Sequence, residues 1–506
     1  MKPAPPPLIR HLLAGLPEAR LIETHISWVI LAGAHAYKLK KPLDLGFLDF
    51  STLEKRRFCC EEEIRLNRRL APQIYLQAVP VTGTPERPQL GGEGPVLEWA
   101  VKMRAFPAGA TLDLAEHLGT DQMDAIAGRI ADFHQAIARA PEDSPYGTPE
   151  HVHQPVQQNF TQLRTLRLPQ AELNLLDRLQ GRARMERVRL RPHFARRKAQ
   201  GFIRECHGDL HLGNIAWVEN APLIFDGIEF NPGLRFIDVI SEMAFLVMDL
   251  CHRQQDELAW RALNHYLEQT GDYPGLAALG YYLGYRALVR AKVEGIRARQ
   301  DGGDLGACLD YLRLAERLTR PGAPGLILMH GVSGSGKTVL SQGLLQGLGA
   351  IRLRSDVERK RLFGLTALAD SRAIPGGIYT PAAGERTREH LLDLSRQLLG
   401  EGFRVIVDAT FLARGWREPF QTLAESSRVP WCLISPRVPT QVLRERVARR
   451  LRQGRDASEA DLSVLEAQIQ GQEPLSPVEL RHTVFALPQW DRDMLLAQTL
   501  PHLRAS

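Results

Sequence analysis

Apolar and polar positions along this chain follow two periods, and the way these alternate changes near residue 325. From His25 to Lys41 the run HISWVILAGAHAYKLKK has period two on both sides of Gly33, which predicts two short strands around a tight turn. Ala36 and Lys38 then share one face, and Lys40 shares it too. Leu53 to Leu70 has the helical period, with Glu63 three and seven residues before Leu66 and Leu70 on the inward stripe. Val96 to Met103 predicts another strand, and Ile126, Ile130 and Phe133 mark a long helical region. Ile215 to Val218 and Leu223 to Phe225 predict a hairpin turning at Glu219-Asn220, and Asp238 to about Thr319 is helical again. After Arg320-Pro321-Gly322-Ala323-Pro324 the pattern becomes strand, helix, strand. Leu326 to Met329, Ile351 to Arg354, Arg404 to Val407 and Trp431 to Ile434 are separated by amphipathic helical stretches. The expected organisation is an α+β region over 1–320, a linker at 321–324, and an α/β doubly wound parallel sheet over 325–506.

The first of the late strands runs without a gap into Gly331, Val332, Ser333, Gly334, Ser335, Gly336, Lys337 and Thr338, the spacing GxxxxGK[ST]. Phosphate chemistry needs this spacing. Glycines let successive backbone N–H groups curl around phosphate oxygens, Lys337 reaches the outer phosphates and Thr338 ligates Mg²⁺. The helix that follows, with Leu340, Leu344, Leu345 and Leu348 on one face, points its positive end at the same anion. ATP and Mg²⁺ are the expected cofactors.

Carboxylates at the ends of the neighbouring strands complete a crevice. Asp356, after Arg354-Ser355, is placed to engage an acceptor hydroxyl; its alternative role is a helix N-cap. Arg359, one turn on, suits an anionic acceptor, and Asp408 stands where a carboxylate holds Mg²⁺. Thr410 and Arg417 lie just beyond, toward the same crevice, with Arg417 as a substrate-binding candidate. The helix from Val442 to Gln453 carries five arginines, of which Arg446 and Arg450, one turn apart, are the candidates for neutralising transition-state charge. A solvated helix face is the alternative.

Upstream, CHGDLHLGNIAWVENAPLIFDGIEF sets His207, Asp209 and Asn214 in HxDxxxxN, followed by the hairpin and Asp226-Gly227. Asp209 would accept a proton from an acceptor hydroxyl or orient it, while Asn214 and Asp226 would hold Mg²⁺ against nucleotide phosphates. His207 reads as a structural brace of this loop. Lys38 would then be the phosphate-binding lysine and Glu63 its ion-pair partner, although Lys40 could replace the first and Glu62 the second. Glu61, Glu62 and Glu63 could equally be a solvated acidic face.

At these residues the sequence resembles the aminoglycoside phosphotransferase and choline kinase-like branch of the protein-kinase-like fold, over residues 24 to 300. The resemblance implies a bilobal domain that phosphorylates a small-molecule hydroxyl from ATP, with Asp209 as base and Asn214 and Asp226 as metal ligands. The single glycine at Gly33 is poorer than a full glycine-rich loop, and His211-Leu212 stands where such families often carry His-Pro. Residues 325 to about 480 resemble small P-loop kinases: polynucleotide 5′-hydroxyl kinases, zeta-toxin-like and gluconate-kinase-like enzymes. That likeness rests on GVSGSGKT, on SDVER with Asp356 and Arg359 in DxxR spacing, on VIVDAT and on the Arg-rich lid. The pairing itself resembles a bacterial family that joins two such domains.

Composition narrows the setting. A chain of 506 residues with 44% hydrophobic and 24% charged residues can bury more than one core. The net charge of +6 comes with arginine spread along the whole chain, so charge by itself does not single out nucleic acid. Cys59, Cys60, Cys206, Cys251, Cys308 and Cys432 form no CxxC pair, which argues against a structural zinc or a disulfide framework. MKPAPPPLIRHLL has prolines where a signal peptide has its apolar core, and the expected setting is the cytoplasm, without a membrane. The expected partners are a small-molecule hydroxyl acceptor and, for the last third, a nucleic-acid 5′ end. A nucleotide-sensing front half and a regulatory ATPase without acceptor are the competing readings.

Overall fold

The structure, a computed structural model, describes residues 4–46, 48–371, 374, 377–453 and 457–504. Six strands near the start form one antiparallel sheet: β1 Arg20–Glu23, β2 Ser27–Ala32, β3 His35–Lys40, β4 Tyr75–Thr84, β5 Arg87–Leu90 and β6 Glu98–Arg104, in the order β1-β2-β3-β6-β4-β5. The expected hairpin is β2–β3, with Gly33 at φ +55 in its turn. Helix Leu53–Asn67 lays Cys60 and Ile64 against Tyr75 and Val101 of this sheet and against Ile74, just before β4. Further on, β7 Ile203–Glu205 pairs with β10 Phe236–Asp238, and β8 Ile215–Val218 pairs with β9 Ala221–Ile224. Glu219 and Asn220 both have φ near +55 (51 and 60), the two left-handed positions that a two-residue hairpin requires. Ala216 and Leu223 of this hairpin join the core under the first sheet.

The last five strands are β11 Gly325–Met329, β12 Ala350–Arg354, β13 Arg404–Asp408, β14 Trp431–Pro436 and β15 Thr483–Ala486. They form one sheet in the order β12-β13-β11-β14-β15, parallel throughout. β11 is buried along its whole length, as a central parallel strand covered on both faces must be. Leu344, Leu345 and Leu348 of the following helix pack on Ile327 and Met329.

Two compact units result. One contains Met1–Ala125, Asp132–Gln162 and Arg184–Asp249; the other contains Ile126–Ala131, Leu163–Ala183 and Leu250–Ser506. The helices Asp256–Thr270, Leu279–Asp301 and Gly306–Leu318 therefore belong with the parallel sheet. The Pro/Gly-rich stretch 321–324 lies inside this second unit, where a Cβ on Gly322 would come within 2.3 Å of Gly402 O. All six cysteines are free and buried. Among the described residues no helix is long and apolar enough to cross a membrane.

Candidate functional sites

In the first unit, Thr52 caps helix Leu53–Asn67 by accepting from Lys55 N, and the buried stripe of that helix aims Glu63 at β3. Lys38 Nζ donates to Glu63 Oε1 at 2.9 Å and Lys40 Nζ to Oε2 at 2.7 Å. Both lysines thus meet one carboxylate, while Glu62 pairs with Arg65 and Arg235. Lys38 also bonds Asp226, and Lys40 bonds Glu229. Burial alone would lower the proton affinity of Lys38, but Asp226, Glu63 and Glu229 outweigh it and hold it well above the ordinary lysine value. Burial likewise pushes the Glu63 carboxyl up, and Lys38 and Lys40 overcome this to hold it at about 2. Two ammonium groups thus face three carboxylates. Of the three, Glu63 and Glu229 are enclosed and Asp226 has 45% of its side chain exposed, so the surplus negative charge is presented there.

The loop after β7 is held from behind. His207 Nε2 lies 2.8 Å from Phe225 O, which can only accept, so Nε2 carries the proton and Nδ1 accepts from Asp209 N at 3.3 Å. Burial lowers the pKa of this ring, and a neutral imidazole tied at both nitrogens braces the loop. Glu242 accepts from His207 N at 3.0 Å and Gly208 N at 2.6 Å, with His134 Nε2 at 3.1 Å. His134, Cys206 and Glu242 are close enough together to suggest a metal, but these N–H donors already occupy the carboxylate. Asp249 accepts from Leu212 N at 2.9 Å. Thus anchored, Asp209 keeps 37% of its side chain exposed. Asn214 Nδ2 donates to Asp209 O and Oδ2 at 2.9 and 3.1 Å, which leaves Asn214 Oδ1 as the atom that could ligate a cation. Glu229, Glu242 and Asp249 were not singled out by sequence reasoning.

In the second unit Gly331, Gly334 and Gly336 have φ of +136, +80 and +95. At Gly334 an added Cβ would also lie 3.0 Å from Leu443 O and Val447 Cγ2, so only glycine suits this position. Lys337 Nζ donates to Gly331 O at 2.8 Å and Val332 O at 2.9 Å, and Ser333 N donates to Gln468, a residue absent from the sequence reading. Ser333 to Thr338 line a crevice of about 950 Å³ together with Asp356, Arg359, Asp408, Thr410, Arg446 and Arg450. Asp356 stands in the first turn of helix Ser355–Leu362, whose N-cap position is held by Arg354, so Asp356 is not the cap. The Arg359 guanidinium lies over the Tyr379 ring at 4.8 Å. Arg446 Nη1 reaches Gly334 O at 3.4 Å, and Arg450 Nη2 donates to Ala460 O at 2.8 Å. Gly454, Arg455 and Asp456, which follow the Arg-rich stretch in sequence, lie outside the described residues.

One expectation is corrected. Arg417 does not face the crevice: its side chain is fully buried, pairs with Glu479 at 2.6 Å and donates to Phe411 O and Leu412 O. It shares a stripe with Phe420 and Ala424, and it ties the chain after β13 to the helix Pro477–Arg481.

The lining fits a magnesium nucleotide. Ser335 Oγ, Arg359 Nε and Arg450 Nε are buried without a hydrogen-bond partner among the described residues, as donors awaiting an anion are. Thr338 and Asp408 offer the hydroxyl and carboxylate oxygens that suit Mg²⁺. Asn214 and Asp226 offer an amide oxygen and a carboxylate in the first unit, which are also hard donors.

Residues 59–279 match the phosphotransferase enzyme family, and residues 326–475 match the AAA domain. Among solved structures, the chain is similar to Kti12 of Chaetomium thermophilum (20% identity, 35% of this chain and 99% of that one, TM-score 0.29). It is also similar to a choline/ethanolamine kinase family protein of Mesorhizobium loti (12% identity, 62% of this chain and 94% of that one, TM-score 0.38). Among curated proteins, it is 31% identical to the uncharacterized protein Rv2004c of Mycobacterium tuberculosis over 414 residues, 81% of this chain and 80% of that protein. The chain belongs to the family of this mycobacterial protein, and it joins a protein-kinase-like domain of the phosphotransferase enzyme family to a P-loop kinase domain.

Proposed function

We propose that the chain is an ATP-dependent phosphotransferase with two nucleotide sites, each moving the γ-phosphoryl group of ATP to a hydroxyl acceptor. The observation that carries the reading is the convergence of Lys337, Thr338, Asp356, Arg359, Asp408 and Arg446 on one crevice, whose volume suits a nucleotide with a neighbouring acceptor. In that crevice Asp356 takes the proton of the acceptor hydroxyl as its oxygen bonds the γ-phosphorus and the bond to the β–γ bridging oxygen breaks. Lys337, Arg446 and Arg450 stabilise the charge that develops on the transferred oxygens, and Arg359 orients an acceptor that carries its own negative charge. In the first unit Asp209 is the proton acceptor and Lys38, steadied by Glu63, orients phosphate. Thr338 and Asp408 in one site, and Asn214 and Asp226 in the other, would hold Mg²⁺, which when bound would supply neutralisation of phosphate charge.

The acceptor classes proposed are a small-molecule alcohol for the first unit and an anionic alcohol, including a polynucleotide 5′-hydroxyl, for the second; the setting proposed is the cytoplasm. The test is transfer of γ-labelled phosphate to a metabolite extract and to a 5′-hydroxyl oligonucleotide by wild type, Asp209→Ala and Lys337→Ala. Labelled acceptors that disappear with one variant assign that class to one site. Free phosphate as the sole product would replace the reading with a regulatory ATPase.

A further inference from the structure

Strand β12 is an edge of the parallel sheet, and an edge presents unpaired main-chain groups. Helix Asp256–Thr270 covers it. Asn264 Nδ2 donates to Ala350 O at 2.9 Å and Asn264 Oδ1 accepts from Arg352 N at 2.7 Å, so one side-chain amide stands in for a neighbouring strand. Glu268, one turn along the same helix, receives the Arg352 side chain, with Nε and Nη2 at 2.8 and 2.7 Å from Oε1. Arg354 Nη1 lies 3.5 Å from Glu268 Oε2. The third Arg352 nitrogen, Nη1, donates to Thr338 O at 3.3 Å and to Ser341 Oγ at 3.2 Å. Ser341 Oγ in turn lies 3.0 Å from Thr338 O and 3.4 Å from Asp408 Oδ2.

This run of contacts ends at the two residues able to hold Mg²⁺ in the P-loop site. We propose that Glu268 is a positioning residue for the cation end of that site: it fixes Arg352, and Arg352 fixes the Thr338 main chain and the Ser341 hydroxyl, so that Thr338 and Asp408 keep one spacing. The carboxylate has a second effect. Without it, the Arg352 guanidinium would be drawn past Ser341 toward Asp408 and would compete there with the cation. Glu268 takes no part in covering the edge of β12, where Asn264 pairs Ala350 O and Arg352 N; its contacts are to the Arg352 and Arg354 side chains. Burial would raise the Glu268 carboxyl, but Arg352 and Arg354 hold it below the usual carboxylate range, so the countercharge is present at neutral pH. Glu268 falls within the stretch matched to the phosphotransferase enzyme family, yet it serves the P-loop site. The inference rests on the nucleotide-binding reading of that site.

The test uses the full chain. Binding of a fluorescent ATP analogue is titrated against Mg²⁺, and the component lost in Lys337→Ala reports the P-loop site. Glu268→Gln is expected to raise the Mg²⁺ concentration for half-maximal binding on the order of 10-fold, the usual effect of removing a residue that orients metal ligands. Glu268→Asp should restore part of it. Ser341→Ala removes a hydroxyl and leaves no charge unpaired, so it should shift the requirement in the same direction with an unchanged melting temperature, and it decides the matter if Glu268→Gln does not fold. An unchanged Mg²⁺ requirement in Ser341→Ala and in folded Glu268→Gln would overturn the proposal and leave Glu268 as a local charge partner of Arg352 and Arg354. Absence of any Lys337-dependent binding in wild type would instead remove the nucleotide reading, and this inference with it.

Discussion

In the first unit Lys38 and Lys40 are matched by Glu63, Glu229 and Asp226, whereas the described lining of the P-loop crevice sets Lys337, Arg354, Arg359, Arg446, Arg449 and Arg450 against Asp356, Asp408 and Glu459. The first site is an enclosed network of paired charges, preorganised before any ligand arrives, with its surplus negative. The second keeps a surplus of positive charge, and Ser335 Oγ, Arg359 Nε and Arg450 Nε are buried there without a hydrogen-bond partner among the described residues. Two sites of opposite surplus charge can thus place their stability in opposite states. The paired network should be rigid and acid-sensitive, and the arginine-lined crevice should gain most from bound nucleotide.

The largest expected effects are on turnover. Asp209→Ala should lower transfer at the first site by ~10²–10⁴-fold, the usual share of a positioned proton acceptor, and leave the P-loop product unchanged. Lys337→Ala should do the reverse; loss of both products in either variant would break the separation of the sites. Next in size is stability. Glu63→Gln leaves two buried lysines short of countercharge and should cost ~3–5 kcal/mol in urea unfolding of the first unit, the range for breaking a buried ion pair. Arg417→Ala should cost a similar ~3–5 kcal/mol in the second unit while nucleotide affinity of the folded protein stays the same. The pH dependence follows from Glu63. Its folded pKa of about 2 lies below the ordinary 4.5, so its contribution is fully present above 4.5 and is lost as pH falls toward 2, which acid titration of wild type against Glu63→Gln would show.

Smaller effects separate the loop from its surroundings. Gly334→Ala imposes a left-handed residue worth ~1–2 kcal/mol of strain and crowds Leu443 O, so nucleotide binding should weaken, as equilibrium titration would measure. Arg444→Ala, an exposed ion pair with Glu466 on the same helix as Arg446 and Arg450, should change neither binding nor turnover.

Much of both sites was legible because their chemistry sits in local spacing. GVSGSGKT needs eight consecutive residues, and HxDxxxxN with the following hairpin keeps Asp209, Asn214 and Asp226 within one short stretch. The residues that were missed act across sequence distance. Glu242 and Asp249 anchor the loop from helix Val239–His252, and their signal was available: a carboxylate inside a nearly continuous apolar run has to find donors. Strands β1, β4 and β5 escaped because β1 and β5 are four residues long and half exposed, and β4 contains Pro80 and Gly83, residues that usually argue against a strand. Arg417 lies close to β13 in sequence, but the helical period it shares with Phe420 and Ala424 turns it inward, away from the crevice. No sequence pattern links Asn264 and Glu268 to β12; that pairing exists only once the sheet has an edge to cover.

The most direct test of the account is the number of Mg²⁺-dependent ATP sites per chain, measured by calorimetric titration of wild type, Lys337→Ala and Asp226→Ala. The account expects two sites in wild type, with a different one lost in each variant. A single site removed by Lys337→Ala and untouched by Asp226→Ala would contradict it, leaving the first unit a kinase fold without a nucleotide.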